Sequence, residues 1–183
     1  MGNVKGPDMM EIEAATLAES LWLPSRRLLE SYDWSEVFEN DAPVELELGS
    51  GDGSFIVELA RRHPDRNFVA VERLMGRARK IVREAKKLDL KNLKALRLDA
   101  SYVVARLCPA DSVERVWILF PDPWPKARHH KRRLIQADFL DELERVVRPG
   151  GEVRFATDHE EYFQWAVETW EGASSWERDH QWD

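Results

Sequence analysis

Glu45-Leu46-Glu47-Leu48-Gly49-Ser50-Gly51-Asp52-Gly53 is the stretch whose reading decides the fold. Val44–Leu48 reads as a short strand, it stops at three alternate glycines, and Ser54–Arg62 follows with helical periodicity. Glycine permits the sharp turn and bares the backbone, so a strand–glycine–helix unit brings main-chain N–H groups up to a ligand. Working outward, the alternation repeats. Strands are expected at Asn67–Val71, Leu93–Leu98, Val113–Phe120 and Glu152–Ala156, and helices at Leu74–Leu88, Tyr102–Leu107 and Arg132–Val147, the last closed by Pro149-Gly150-Gly151. Such an order predicts an α/β fold with a doubly wound, mostly parallel sheet. Ligands in that architecture lie at the carboxyl ends of the strands, which selects Gly49–Gly53, Glu72, Asp99, Pro121–Lys126 and Thr157–Asp158.

The 183 residues, 43% apolar and 33% charged, suffice for one core and its charged coat. The longest apolar run, Val116-Trp117-Ile118-Leu119-Phe120, falls far short of the ~20 residues of a spanning helix, and the opening residues are too polar for a signal peptide. No membrane role is expected. A single cysteine, Cys108, allows no intrachain disulfide and suits a reducing cytoplasm. Residues 1–42 read as an N-terminal extension packing on the core, with a helix over Ala15–Leu23 and with Trp34 and Phe38 covering an edge. The net charge of −7 argues against indiscriminate binding of nucleic acid. The charge is uneven, however: Lys126–Arg133 reads KARHHKRR, whereas Asp138–Asp183 carries thirteen acids against four arginines.

Three acids fall at or beside strand ends near the glycine turn. Glu72 stands nineteen residues beyond Gly53, close to the ~20 at which an acid accepts ribose hydroxyls, though it also reads as a solvated strand-end acid. Asp99 can receive an adenine amino group or brace its own loop, and Glu47 stands beside the end of the first strand. Clustered carboxylates favour a cationic ligand. A dinucleotide fingerprint from Gly49 needs Gly or Ala where this chain has Ser54, so S-adenosylmethionine fits better than NAD. The glycines also suit mere strand–helix packing.

The strongest local signal is Pro121-Asp122-Pro123-Trp124-Pro125-Lys126. Three prolines in five residues stiffen a loop that presents Asp122; Trp124 suits stacking on a base, Lys126 a phosphate or base edge, and the basic tract an RNA backbone. A stiffened loop before a solvated basic face is the plainer alternative. Asp158 reads equally as a helix cap or a substrate contact. The basic residues between Arg73 and Lys87 read as a solubilising helix face. His129 and His130 lack a partner at metal-ligand spacing, and no serine stands in a nucleophile elbow, so neither a metal site nor a hydrolase triad is expected.

With ELGSGDG, the strand-ending Glu72, Leu98-Asp99-Ala100, FPDPWPKARHHKRRL and TDHEEY in this order, the chain resembles the tRNA (guanine-N7)-methyltransferase family from about Pro43 to Trp170. The resemblance implies a Rossmann-like class I methyltransferase fold over residues 43–183 that binds S-adenosylmethionine and methylates guanine N7 in the variable loop of tRNA. It implies cofactor contacts from Glu47, Gly49, Gly51, Gly53, Glu72, Asp99 and Asp122, with Asp122 the catalytic position and Lys126 and Asp158 on the substrate. The family pattern continues into a terminal antiparallel hairpin with a Thr-x-Phe/Tyr-Glu motif, whereas this sequence ends at Gln181-Trp182-Asp183; a sheet without the hairpin is expected. Two other functions stay open: a methyltransferase for a non-RNA substrate, and an RNA-binding or partner-stabilising module that keeps the cofactor fold without turnover.

Overall fold

Val44–Leu48 and Asn67–Val71 are buried along their whole length, so both faces of these strands need cover, and crossover helices supply it. The computed structural model describes residues 21–23, 30–173 and 176–178. In chain order these form α1 (Trp34–Phe38), β1 (Val44–Leu48), α2 (Ser54–Arg62), β2 (Asn67–Val71), α3 (Met75–Lys87) and β3 (Leu93–Leu96). A short α4 (Ala100–Tyr102) runs into a π turn (Val103–Leu107), followed by β4 (Val113–Leu119), a 3-10 turn (Ala127–Arg132), α5 (Ala137–Val146), β5 (Val147–Ala156) and α6 (Glu160–Glu171). The sheet is parallel throughout in the order β3-β2-β1-β4-β5. No helix among the described residues is long and apolar enough to cross a membrane.

One face of the sheet packs Leu46, Val69, Val116 and Ile118 against Val104, Leu107, Leu140, Leu143 and Tyr162. Trp34 and Phe38 of α1 are buried in the same cluster, and Asp33 caps α1 by accepting from Ser35 N and Glu36 N. The other face packs Phe68, Ala70 and Ala95 against Ile56, Ala60, Ile81 and Ala85 of α2 and α3. Pairing in register (Leu48 with Val71, Val71 with Leu96, Leu119 with Ala156) brings the strand ends to one rim. The order reverses between β1 and β4, so the crevice of an open α/β sheet lies between the loops that follow these two strands.

Two local expectations fail through a distant partner, and a third fails in the three of its residues that are described. The helix expected from Arg132 begins only at Ala137, because Arg133 turns inward and the Gln136 side chain donates to His130 O (2.9 Å) and Arg133 O (3.2 Å). β5 starts at Val147, before the glycines, because β4 offers Val113 as its partner across a register shift. The helix expected over Ala15–Leu23 lies outside the described residues except for Leu21–Leu23. There the chain is extended along β3: Leu23 N donates to Ala95 O (2.9 Å) and Ala95 N to Leu21 O (2.7 Å).

Candidate active site

The turn after β1 places Gly49, Gly51 and Gly53 at φ of +85°, +55° and +81°, a region that side chains resist. Its N–H groups are spoken for. Those of Gly49 and Ser50 both donate to Val71 O at 2.9 Å, that of Gly53 donates to Ser50 O (2.8 Å), and that of Gly51 donates to Glu72 Oε2 (2.9 Å). The other Glu72 oxygen accepts from Leu74 N (2.7 Å), so this buried acid clamps the turn to the start of α3. Asp52 adds a second tie through Ser54 N (3.0 Å) and the Lys80 ammonium (2.8 Å), which hold its carboxyl far below the usual carboxylate range. A Cβ at Gly53 would run into Ile81, while one at Gly49 would meet nothing within 4 Å. Gly53 is therefore needed for packing, and Gly49 faces open space.

Glu45 and Glu47 share one face of β1, yet their surroundings differ sharply. Glu45 Oε1 accepts from Arg66 (2.9 Å) and Arg115 (3.0 Å), and its Oε2 from the Trp117 indole (2.8 Å). Glu47 is only 4% exposed, and its Oε2 has no hydrogen-bond partner among the described residues. Burial raises its carboxyl to about 7, Ser50 opposes the shift by hydrogen bonding, and the charges of Asp52 and Glu72 add to it. An unpaired buried acid beside a bared glycine turn fits a ligand that brings a positive charge or N–H donors. S-adenosylmethionine, with its sulfonium and ammonium groups, meets that requirement. Glu47 would hold its cationic end, and the open face of Gly49 would admit it, with Glu72 beside them. Asp99 stands exposed at the same rim and N-caps α4, accepting from Ser101 N (3.0 Å) and Tyr102 N (3.3 Å); of its two expected roles, bracing the loop is the one seen.

Across the switch point, the loop after β4 is bent at two residues that are not glycine. Phe120 and Trp124 take φ of +51° and +44°, costly values for bulky side chains, and Phe120 is 65% exposed. Phe120 N is anchored on Ala156 O (2.7 Å). The loop is held from inside by Arg133, whose side chain is fully buried. Its Nε donates to Pro123 O (2.9 Å), its Nη2 to Glu161 (2.9 Å), and its guanidinium lies over the rings of Tyr162 (5.1 Å) and Trp165 (5.3 Å). Arg133 is thus no partner for RNA, contrary to its expected place in the basic tract. Sequence reasoning missed this clamp; its one local sign is that Leu134-Ile135 follows directly, where a solvated tract would stay polar.

Asp122 is exposed on this clamped loop, close enough for its charge to act on the Tyr162 hydroxyl, which burial chiefly holds above its ordinary range. Lys126 is exposed at the start of the 3-10 turn. Trp124 carries the Arg132 guanidinium over its face at 4.9 Å and meets the His129 ring edge-on at 5.8 Å, an aromatic–cation unit at the surface. The cap of α6 belongs to His159, whose Nδ1 accepts from Tyr162 N (3.2 Å), and not to Asp158. Asp158 is left exposed at the carboxyl end of β5. Gly49–Gly53, Glu47 and Glu72 therefore form one wall of the crevice rim and Asp122 with Lys126 the other, with Asp158 following the next strand.

A parallel sheet with a glycine turn and a buried, uncompensated acid at its switch point defines a doubly wound α/β protein with a ligand crevice at the carboxyl ends of its strands. The chain belongs to the tRNA (guanine-N7)-methyltransferase family. Residues 41–183 match the family model described as "Putative methyltransferase". The chain is 43% identical over 141 residues to a tRNA (guanine-N(7)-)-methyltransferase of Thermotoga maritima, covering 77% of this chain and 45% of that protein. With the namesake from Halorhodospira halophila it shares 38% identity over 165 residues, 87% of this chain and 70% of that one. Against the first of these curated relatives the chain spans about half to two thirds of their length. Among solved structures, a precorrin-6y C5,15-methyltransferase from Geobacter metallireducens matches with a TM-score of 0.57 at 17% identity, over 82% of this chain and 78% of that one, a likeness of fold.

Proposed function

We propose that this chain carries the core of an enzyme that transfers a methyl group from S-adenosylmethionine to N7 of a guanine in tRNA. The observation that carries the reading is the pairing of two walls at one switch point: an unpaired buried acid with a glycine turn on one side, and Asp122 on an internally clamped loop on the other. The names of the relatives, all tRNA (guanine-N(7)-)-methyltransferases, supply the substrate and the atom. S-adenosylmethionine supplies an electrophilic methyl group carried on a sulfonium.

Guanine N7 has an available lone pair at neutral pH, so no base is needed to prepare it, and positioning is the main task. Glu47 and the glycine turn orient the donor from the β1 side. Asp122 orients guanine from the β4 side and offsets the positive charge that grows on the purine. Trp124 with Arg132, and Lys126 beside them, hold the flanking nucleotides, and the exposed Asp158 accepts a hydrogen bond from the base or ribose. A cytoplasmic setting suits a tRNA substrate and the lone buried thiol of Cys108, which burial raises to about 12. The test is transfer of labelled methyl onto unmodified tRNA, with mapping of the product. Label at guanine N7 of the variable loop supports the reading; label on another base, or donor binding with no transfer to tRNA, overturns it.

A further inference from the structure

The cations of this acidic chain sort into two populations. About half of those described are neutralised in place, among them Lys80 by Asp52, Arg83 and Lys87 by Glu84, Arg66 and Arg115 by Glu45, and Arg148 by Glu114. Arg73, Arg77, Arg79 and Arg97 are different. Among the described residues none of them is in an ion pair, and all four are exposed. They follow β2 and β3, on the same rim as the crevice but on the side away from the proline loop.

Two of them line a cavity. Arg79 and Arg97 stand with Trp22, Leu23 and Met75 around about 320 Å³, at the lower end of the range for small-molecule pockets and enough for part of a nucleotide. The cavity wall is fixed by the main-chain bonds between Leu21–Leu23 and Ala95, which seat Trp22 against the outer edge of β3. Met75 and Arg79 are one helical turn apart on α3, so an apolar contact and a cation face the same space. An aromatic ring, a thioether and two guanidinium groups without acids make a surface for a base and its phosphate. On a protein of net charge −7, a local field of this sign matches a polyanion.

We propose that this cavity is a second RNA anchor, where one nucleotide lies with its phosphate on Arg79 and Arg97 and its base against Trp22 and Met75. The proposal rests on the reading that the substrate is RNA, and it names where the strand goes beyond the crevice. RNA crossing the donor site meets Lys126 and Arg132 on one side and the Arg73–Arg97 group on the other, so both flanks of the target guanine are held.

The test measures tRNA affinity between 50 and 200 mM salt for the wild type, R79Q/R97Q and K126Q/R132Q, with donor affinity and Tm for each. For R79Q/R97Q the expected result is about tenfold weaker tRNA binding and a salt slope shallower by about one unit. Donor affinity and Tm should match the wild type. Wild-type affinity and slope in R79Q/R97Q, alongside a weakened K126Q/R132Q, overturn the second anchor and leave the RNA reading intact. No tRNA binding by the wild type overturns both.

Discussion

The glycine turn after β1 and the proline loop after β4 leave the same edge of the sheet but are held in different ways. The turn is held mainly through main-chain donors, with the N–H groups of Gly49 and Ser50 on Val71 O of the adjoining strand, that of Gly53 on Ser50 O and that of Gly51 on the Glu72 carboxylate. The loop has prolines at 121, 123 and 125, which donate nothing, so its hold comes from Arg133 and, through it, from Glu161, Tyr162 and Trp165 of α6. A backbone-bonded turn tolerates changes around it. A loop tied by one arginine depends on a helix some thirty residues away, so its shape can fail while the sheet stands.

The largest expected effect lies on the loop side. Replacing Asp122 by Ala should lower turnover by about a hundredfold or more while donor affinity stays within twofold, as for loss of one preorganised electrostatic group. Single-turnover rates with donor titrations check this, and an unchanged rate would remove Asp122 from the chemistry.

On the turn side, the raised carboxyl of Glu47 makes stability depend on pH. The folded protein keeps this proton up to about 7 while the unfolded chain loses it near 4.5, so the stabilisation is present below 4.5 and is lost as pH rises to 7. The span is worth about 3 kcal/mol, at 1.36 kcal/mol per unit. Denaturant titrations from pH 4.5 to 8 should show this fall in the wild type and lack it in Glu47→Gln, which should also bind the donor more weakly above pH 7.

Arg133→Lys tests the clamp more finely, since an ammonium keeps the charge but not the fork that reaches Pro123 O and Glu161 together. About 2 kcal/mol of stability should be lost, with turnover falling further than donor affinity. Turnover and urea midpoints that both match the wild type would show that the loop needs no clamp.

The smallest effect separates two glycines of one turn. Gly49→Ala meets only the left-handed backbone, at about 1 kcal/mol, and should weaken donor binding; Gly53→Ala also strikes Ile81 and should cost more stability than Gly49→Ala. Equal stability losses would mean that α3 yields to the new methyl.

Much of this was legible in advance where the signal was local. Val44–Leu48, Ser54–Arg62 and Asn67–Val71 form as their periodicity predicts, because apolar spacing and glycine placement act over a few residues. The stretch from Arg132 to Gln136 reads as the beginning of a helix and is not one, since nothing nearby says that Arg133 will be buried against rings at 162 and 165. Asp158 and Thr157-His159 show the same limit at smaller scale: several residues suit an N-cap, and the fold chose His159.

The amino-acid sequence determined the alternating strands and helices, the left-handed glycines and the acids at the rim, because dihedral preference and side-chain period are properties of a short segment of chain. It also set two like acids, Glu45 and Glu47, on one strand face. Tertiary structure decided which of them would be neutralised, for Arg66, Arg115 and Trp117 arrive from positions 21 to 72 residues away and reach only the first. Burial without a counter-ion is a property of the assembled sheet, and it is what sets Glu47 apart from Glu45.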